Sequence, residues 1–261
     1  MRKVAIAFVA AACWVMAAAA LEGASLPAEG DRITVTLDVL LDRLAGADDQ
    51  VRAQARQIIP RYGADAVPGL VKLLAREEAP VWRTAFICLR DIAHQPAPVT
   101  MDQRVAAPPR VAVQRALAGV FLENASEALV RRALDLMPQV WAEGDDPAPV
   151  VALLDRPELR EAALRALNET ATPMCLDAVA RFAEDTSRDP VARREAAMAL
   201  IGLSGWSEAS ARARRLLADP DPGVAAVGAR LLAESGEPAD WSALRSAAGS
   251  LPPDIPDSLR F

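Results

Sequence analysis

A recurring helix start limits the fold more than any other feature of this chain. Asp48-Asp49-Gln50-Val51-Arg52-Ala53-Gln54-Ala55, Arg188-Asp189-Pro190-Val191-Ala192-Arg193-Arg194-Glu195-Ala196 and Asp219-Pro220-Asp221-Pro222-Gly223-Val224 share one punctuation, and weaker copies begin at Val81 and Leu159. An acid or a proline precedes an aliphatic anchor, and in the better copies an arginine lies one or two positions beyond it. The interval from Val51 to Val81 is 30 residues, from Leu159 to Val191 it is 32, and from Val191 to Val224 it is 33. Two helices of about twelve residues joined by short loops fill such a period. Each helix carries one apolar stripe and cannot seal it alone, so every unit needs neighbours. The chain is therefore expected to be all-α and stacked, offering surface to partners rather than chemistry.

The composition agrees. Ala, Leu and Val dominate, and aromatic residues make up only 4%, which suits close helix approach and not a β-sandwich. With 29 basic and 35 acidic residues the net charge is -6, the wrong sign for a general nucleic-acid binder. Arginines nevertheless cluster at 110–115, 131–132, 193–194 and 212–215.

The N-terminus follows another logic. Arg2-Lys3 precedes an apolar run from Val4 to Leu21, with small residues at Ala18-Ala19-Ala20, the pattern of a secretory signal peptide over 1–20. The run is also just long enough for an uncleaved inner-membrane anchor. Cys13 makes a poor lipoprotein site, because no Leu precedes it at the usual place and the apolar run continues past it. Export places the protein in the periplasm or cell envelope. Removing Arg2 and Lys3 leaves 27 basic against 35 acidic residues, net -8. Only Cys88 and Cys175 would then remain, far apart along the chain, and they read as two buried thiols rather than a disulfide.

Residues 21–32 read as a flexible lead-in, and helix pairs fill 33–248. Leu37, Leu40, Leu41 and Leu44 share one helix face, and Val51, Ala55, Ile58 and Ile59 the next. Between Val81 and the next match, Leu129, the distance is 48, an excess of about sixteen residues over one period. The surplus falls where Pro96, Pro98, Pro108 and Pro109 interrupt the pattern, so 94–109 is expected to be an irregular insertion. Pro238 to Ala248 reads as a capping helix, and 249–261 as a proline-rich tail.

Val51-Arg52-Ala53-Gln54-Ala55, Leu159-Arg160-Glu161-Ala162-Ala163-Leu164 and Val191 through Leu200 resemble HEAT and HEAT-like repeats, the short bacterial sort also seen in the phycobilisome-lyase repeat family. The resemblance spans about 33–248. Two copies depart from the pattern: Trp82 stands where the arginine should be, and Val224-Ala225-Ala226-Val227 lacks it. The resemblance implies a right-handed α-α superhelical solenoid of about six helix pairs that binds proteins. A minority of such arrays are chromophore-lyase partners, and some related arrays handle damaged DNA.

Signals of chemistry are absent from the sequence. His94 is the single histidine, and no H-E-x-x-H, C-x-x-C or glycine-rich phosphate loop occurs. Adjacent acids at Asp48-Asp49, Glu77-Glu78 and Asp145-Asp146 suit helix caps better than two carboxylates facing across a cleft. No cofactor, metal or catalytic residue is expected. Trp141, Trp206 and Trp241 read as plugs at helix ends, whereas Trp82, beside the insertion, reads as a protein contact. Arg83, Arg90 and Arg104 would rim it, with His94 and Met101 nearby. His94 also reads simply as the cap of the helix it follows. A protein partner is expected, without nucleic acid, and with the membrane involved only through an uncleaved N-terminus.

Overall fold

The computed structural model describes residues 35–96, 108–123, 125–201, 208–235, 240, 242, 244 and 245. The signal peptide or anchor, most of the insertion, Met101, Arg104, Trp206, Trp241 and the C-terminal tail lie outside them. Every element below belongs to the unit that begins at Leu37.

The described residues contain helices and no strand. First helices are α1 (Leu37–Ala45), α3 (Val67–Leu74), α5 (Pro109–Leu122), α7 (Ala148–Val151), α9 (Pro173–Glu184) and α11 (Ala209–Leu217). Their second helices are α2 (Asp49–Ile58), α4 (Ala79–Ala93), α6 (Glu127–Val140), α8 (Pro157–Thr170), α10 (Pro190–Ala199) and α12 (Pro222–Ser235). Tighter 3-10 turns run over Ile59–Ala66 and Ala152–Asp155.

Local chemistry sets these boundaries. Asp48 accepts from the Gln50 and Val51 backbone N–H groups, Ser126 from Leu129, Thr172 from Cys175 and Asp189 from Ala192, each satisfying otherwise orphaned donors at a helix start. Proline occupies the first turn of α3, α4, α5, α8, α9 and α10, where its missing N–H costs nothing. Gly63, at φ 54°, turns the chain between α2 and α3.

Each helix touches its own partner and also its counterpart in the neighbouring pair: α1 meets α3, α3 meets α5, α5 meets α7, α7 meets α9 and α9 meets α11. The second helices follow suit, from α2 against α4 through to α10 against α12. The result is an all-α architecture of repeating, contacting helix pairs in two layers, consistent with a helical-repeat solenoid. Its core is aliphatic. Leu44, Leu70, Leu74, Leu89, Leu117, Leu136, Leu154 and Leu167 lose essentially all solvent contact, each contributing about 1.5–3 kcal/mol by burial.

Two details of the expected stripes differ. Ile58 is 38% exposed, because α2 ends there and the 3-10 turn that follows buries Ile59 instead. Val191 is also exposed, while Ala192 and Arg193 are buried. Ala192 is the true anchor, three residues past its cap Asp189, as Val51 is past Asp48 and Val81 past Glu78. The repeat register therefore sits one residue later at that copy.

Candidate protein-contact site

An arginine one residue past the anchor lies four beyond the cap, and so on the face that points back at the preceding helix. Arg52 Nε donates to the Leu44 carbonyl at 3.3 Å and Nη2 to the Gly46 carbonyl at 2.6 Å. Arg160 Nε reaches the Leu154 carbonyl at 2.8 Å, and Arg193 Nε the Ala183 carbonyl at 3.0 Å. All three arginines are buried. Arg52 and Arg193 thus close the carboxyl ends of their own first helices, and Arg160 the 3-10 turn that continues α7, where carbonyls lack partners and the helix dipole favours a cation. Arg160 and Arg193 also reach forward, to Glu195 at 3.1 Å and to Asp219, joining one pair to the next. Arg52 takes its acid, Asp49, from its own helix.

Trp82 occupies that position in α4, and the carboxyl end of α3 is closed from elsewhere. Arg132, on α6 of the following pair, donates through Nη1 to the Leu74 and Arg76 carbonyls, both at 2.7 Å. Its guanidinium lies over the Trp82 ring, 4.5 Å from the centroid, and that of Arg83 lies over the same ring at 5.3 Å. The indole π-face attracts both cations. Trp82 is half-buried and Arg83 exposed. In the turn before α4, Glu78 takes Arg76 in a two-pronged pair at 2.9 and 3.1 Å. That hydrogen bonding from Arg76 holds the Glu78 carboxyl down at about 2.

The other expected contact residues separate into a second group. Arg90 lies two helical turns beyond Trp82, about 12 Å along the axis, and pairs with Asp91 at 3.2 Å. His94 closes α4: its Nδ1 lies 2.8 Å from the Arg90 carbonyl, a hydrogen bond that requires the proton on Nδ1. Gln95 Nε2 donates to the Pro60 carbonyl at 2.8 Å. Trp82 and Arg83 thus stand at one end of α4, Arg90 and His94 at the other.

Arg132 carries the corner, yet nothing in its own repeat copy marks it. The signal available in the sequence was the tryptophan at a position that elsewhere holds arginine. Trp141, by contrast, is 6% exposed and packs on Phe121 with ring centroids 6.0 Å apart, filling a helix end. Asp48 caps α2, and Asp145 accepts from the Ala142 N–H and from Arg110, so these acids serve local structure. Cys88 and Cys175 are free and buried; burial pushes the Cys88 thiol up to about 12 and raises Cys175 as well.

A cleft of about 270 Å³ opens between α7 and α9, its apolar lining including Val151, Met174, Ala178 and Phe182. Arg188 lies 4.4 Å over the Phe182 ring and pairs with Asp155 and Asp185. Arg181 pairs with Asp177 at 3.1 Å. Its charged rim is thus largely engaged. Among the described residues no cluster of His, Cys, Asp or Glu is placed to hold a metal ion, and no helix is long and apolar enough to cross a membrane.

No protein-family model and no curated protein matches the chain. Among solved structures it is similar to a crystallised engineered protein at 18% identity, over 81% of this chain and 86% of that one, with a TM-score of 0.29. At that level the likeness carries no argument, and the architecture stands on the helix contacts themselves.

Proposed function

We propose that the chain is a HEAT-like repeat solenoid, right-handed and of about six helix pairs, which holds a protein partner in the cell envelope without catalysing a reaction on it. The observation that carries this reading is the contact of every described helix with its counterpart in the neighbouring pair. Such stacking leaves long ordered faces, and recognition by them needs no buried chemistry. The N-terminal pattern of Arg2-Lys3, apolar run and Ala18-Ala19-Ala20 supports export. The half-buried Trp82 with exposed Arg83 is the contact we assign, since Trp and Arg are enriched where interfaces gain most of their energy.

A lyase-like or chaperone reading, acting on a bound pigment or peptide, would use the cleft between α7 and α9. Its volume of about 270 Å³ lies just below the roughly 300–1,000 Å³ that ligand sites occupy, and its arginines are already paired with carboxylates. The scaffold reading is the stronger.

The test is photocrosslinking in native cells, with a benzophenone side chain at exposed Glu77 beside the Trp82 corner and, as control, at exposed Met198 on α10. Protein adducts from position 77 and not from 198 are the expected result. Their absence at 77 overturns the assigned contact.

A further inference from the structure

We infer that the Trp82 corner takes an acidic segment of the partner, one that places a carboxylate against Arg83 and an apolar side chain on the exposed part of the indole. The inference rests on the protein-binding reading and adds the chemistry of what is bound. Its ground is unspent charge. Other arginines that bridge one pair to the next meet a carboxylate: Arg160 with Glu195, Arg165 with Asp135, Arg193 with Asp219, and Arg212 with Asp177 and Glu184.

At this corner two guanidinium groups share one ring, and among the described residues neither Arg83 nor Arg132 pairs with a carboxylate. The carbonyls that hold Arg132 contribute the partial charge of a helix end, roughly half an elementary charge, and offset it only in part. Glu78 is committed to Arg76, and Glu77, exposed in the same turn, pairs with neither arginine. On a chain of net charge -6, a local pair of unneutralised cations steers and orients an acidic partner while the rest of the surface repels it. The indole adds apolar area beside the charge. A basic segment would face like charge here, which disfavours it.

The full chain is tested by fluorescence polarisation with a labelled hexapeptide of alternating aspartate and leucine, and with its asparagine counterpart. The expected result is about tenfold tighter binding of the aspartate peptide at low salt, weakening as salt rises. Arg83→Glu is expected to remove that preference with helicity retained and Tm little changed, because Arg83 is exposed and its contact is with the Trp82 ring alone. Arg83→Lys retains most of it, and Arg43→Glu, a charge reversal at an exposed arginine on α1, leaves it within about twofold. Equal binding of the two peptides, equal loss in Arg83→Glu and Arg43→Glu, or Arg83-dependent binding to phosphatidylglycerol vesicles without peptide preference would each overturn the proposal. If position 77 still crosslinks to a protein while the acidic preference is missing, the proposal fails and the protein-binding reading survives. If the crosslink is missing as well, the assigned contact fails with it.

Discussion

The contact between the α3–α4 and α5–α6 pairs and the contact between the α9–α10 and α11–α12 pairs solve one problem in two ways. Both must close the carboxyl end of a first helix and tie it to the next pair. In the later contact one buried side chain does both: Arg193 reaches back to Ala183 and forward to Asp219, and the two charged side chains are 2% and 4% exposed. In the earlier contact the task is divided, since Arg132 is supplied by the next pair and Trp82 holds it from the side. The later solution spends its charge inside the fold. The earlier one leaves charge at the surface, where the proposed partner would meet it. A repeat that departs from its own pattern is where function is to be sought.

That contrast is tested first at the buried pair. Arg193→Met strands the Asp219 carboxylate and should cost about 3–5 kcal/mol, whereas Arg132→Met removes hydrogen bonds at a half-exposed site and should cost about 1–2 kcal/mol. Urea unfolding of the two variants checks the order, and equal losses would erase the distinction between the two contacts.

Backbone spacing sharpens it next. A Cβ on Gly228 of α12 would lie 2.4 Å from the Leu217 nitrogen and 2.6 Å from the Leu216 carbonyl carbon, backbone that cannot step aside, while one on Gly119 of α5 meets nothing within 4 Å. Gly228→Ala is expected to destabilise by about 1–3 kcal/mol. Gly119→Ala is expected to be neutral or to stabilise by up to about 1 kcal/mol through helix propensity alone. Opposite signs in the two Tm shifts are the readout.

A smaller effect isolates the indole. In a double-mutant cycle of Trp82→Leu with Arg132→Met, the coupling should be about 0.5–1 kcal/mol, as for an exposed cation–π contact. A coupling near zero would mean that Arg132 is held by the α3 carbonyls alone.

The smallest effect is in pH. Arg76 depresses the folded carboxyl of Glu78 from its usual 4.5 to about 2, so its contribution is present above pH 4.5 and fades as pH falls through about 2. Glu78→Gln should flatten the acid limb of the stability profile in that window and leave the neutral region unchanged.

The sequence carried the period and the stripes because both follow from helix geometry: Leu40, Leu44 and Ala55 are buried where the spacing places them. Helix starts were legible too, since Asp48 and Asp189 cap by local chemistry. Register at α10 was not, because Val191 and Ala192 are both apolar and only the cap-to-anchor distance separates them. The backward reach of Arg52, Arg160 and Arg193 was hidden for a related reason: their acceptors are backbone carbonyls, common to every residue, which no side-chain pattern marks. Trp82 stood out in the sequence as an aromatic in an arginine position. Its partner did not, since Arg132 lies fifty residues away and becomes a neighbour only through stacking.

The stacking itself is tested most directly by crosslinking across neighbouring pairs. Asp135 and Arg165 meet between the second helices α6 and α8 at 2.9 Å, and Asp177 and Arg212 meet between the first helices α9 and α11. With Cys13, Cys88 and Cys175 replaced by serine, cysteines at 135 and 165, or at 177 and 212, should be joined by a short bis-maleimide in high yield, and cysteines at 135 and 212 should not. Efficient joining of 135 to 212, or failure of both neighbouring pairs in a protein that keeps its helicity, would contradict the two-layer stack.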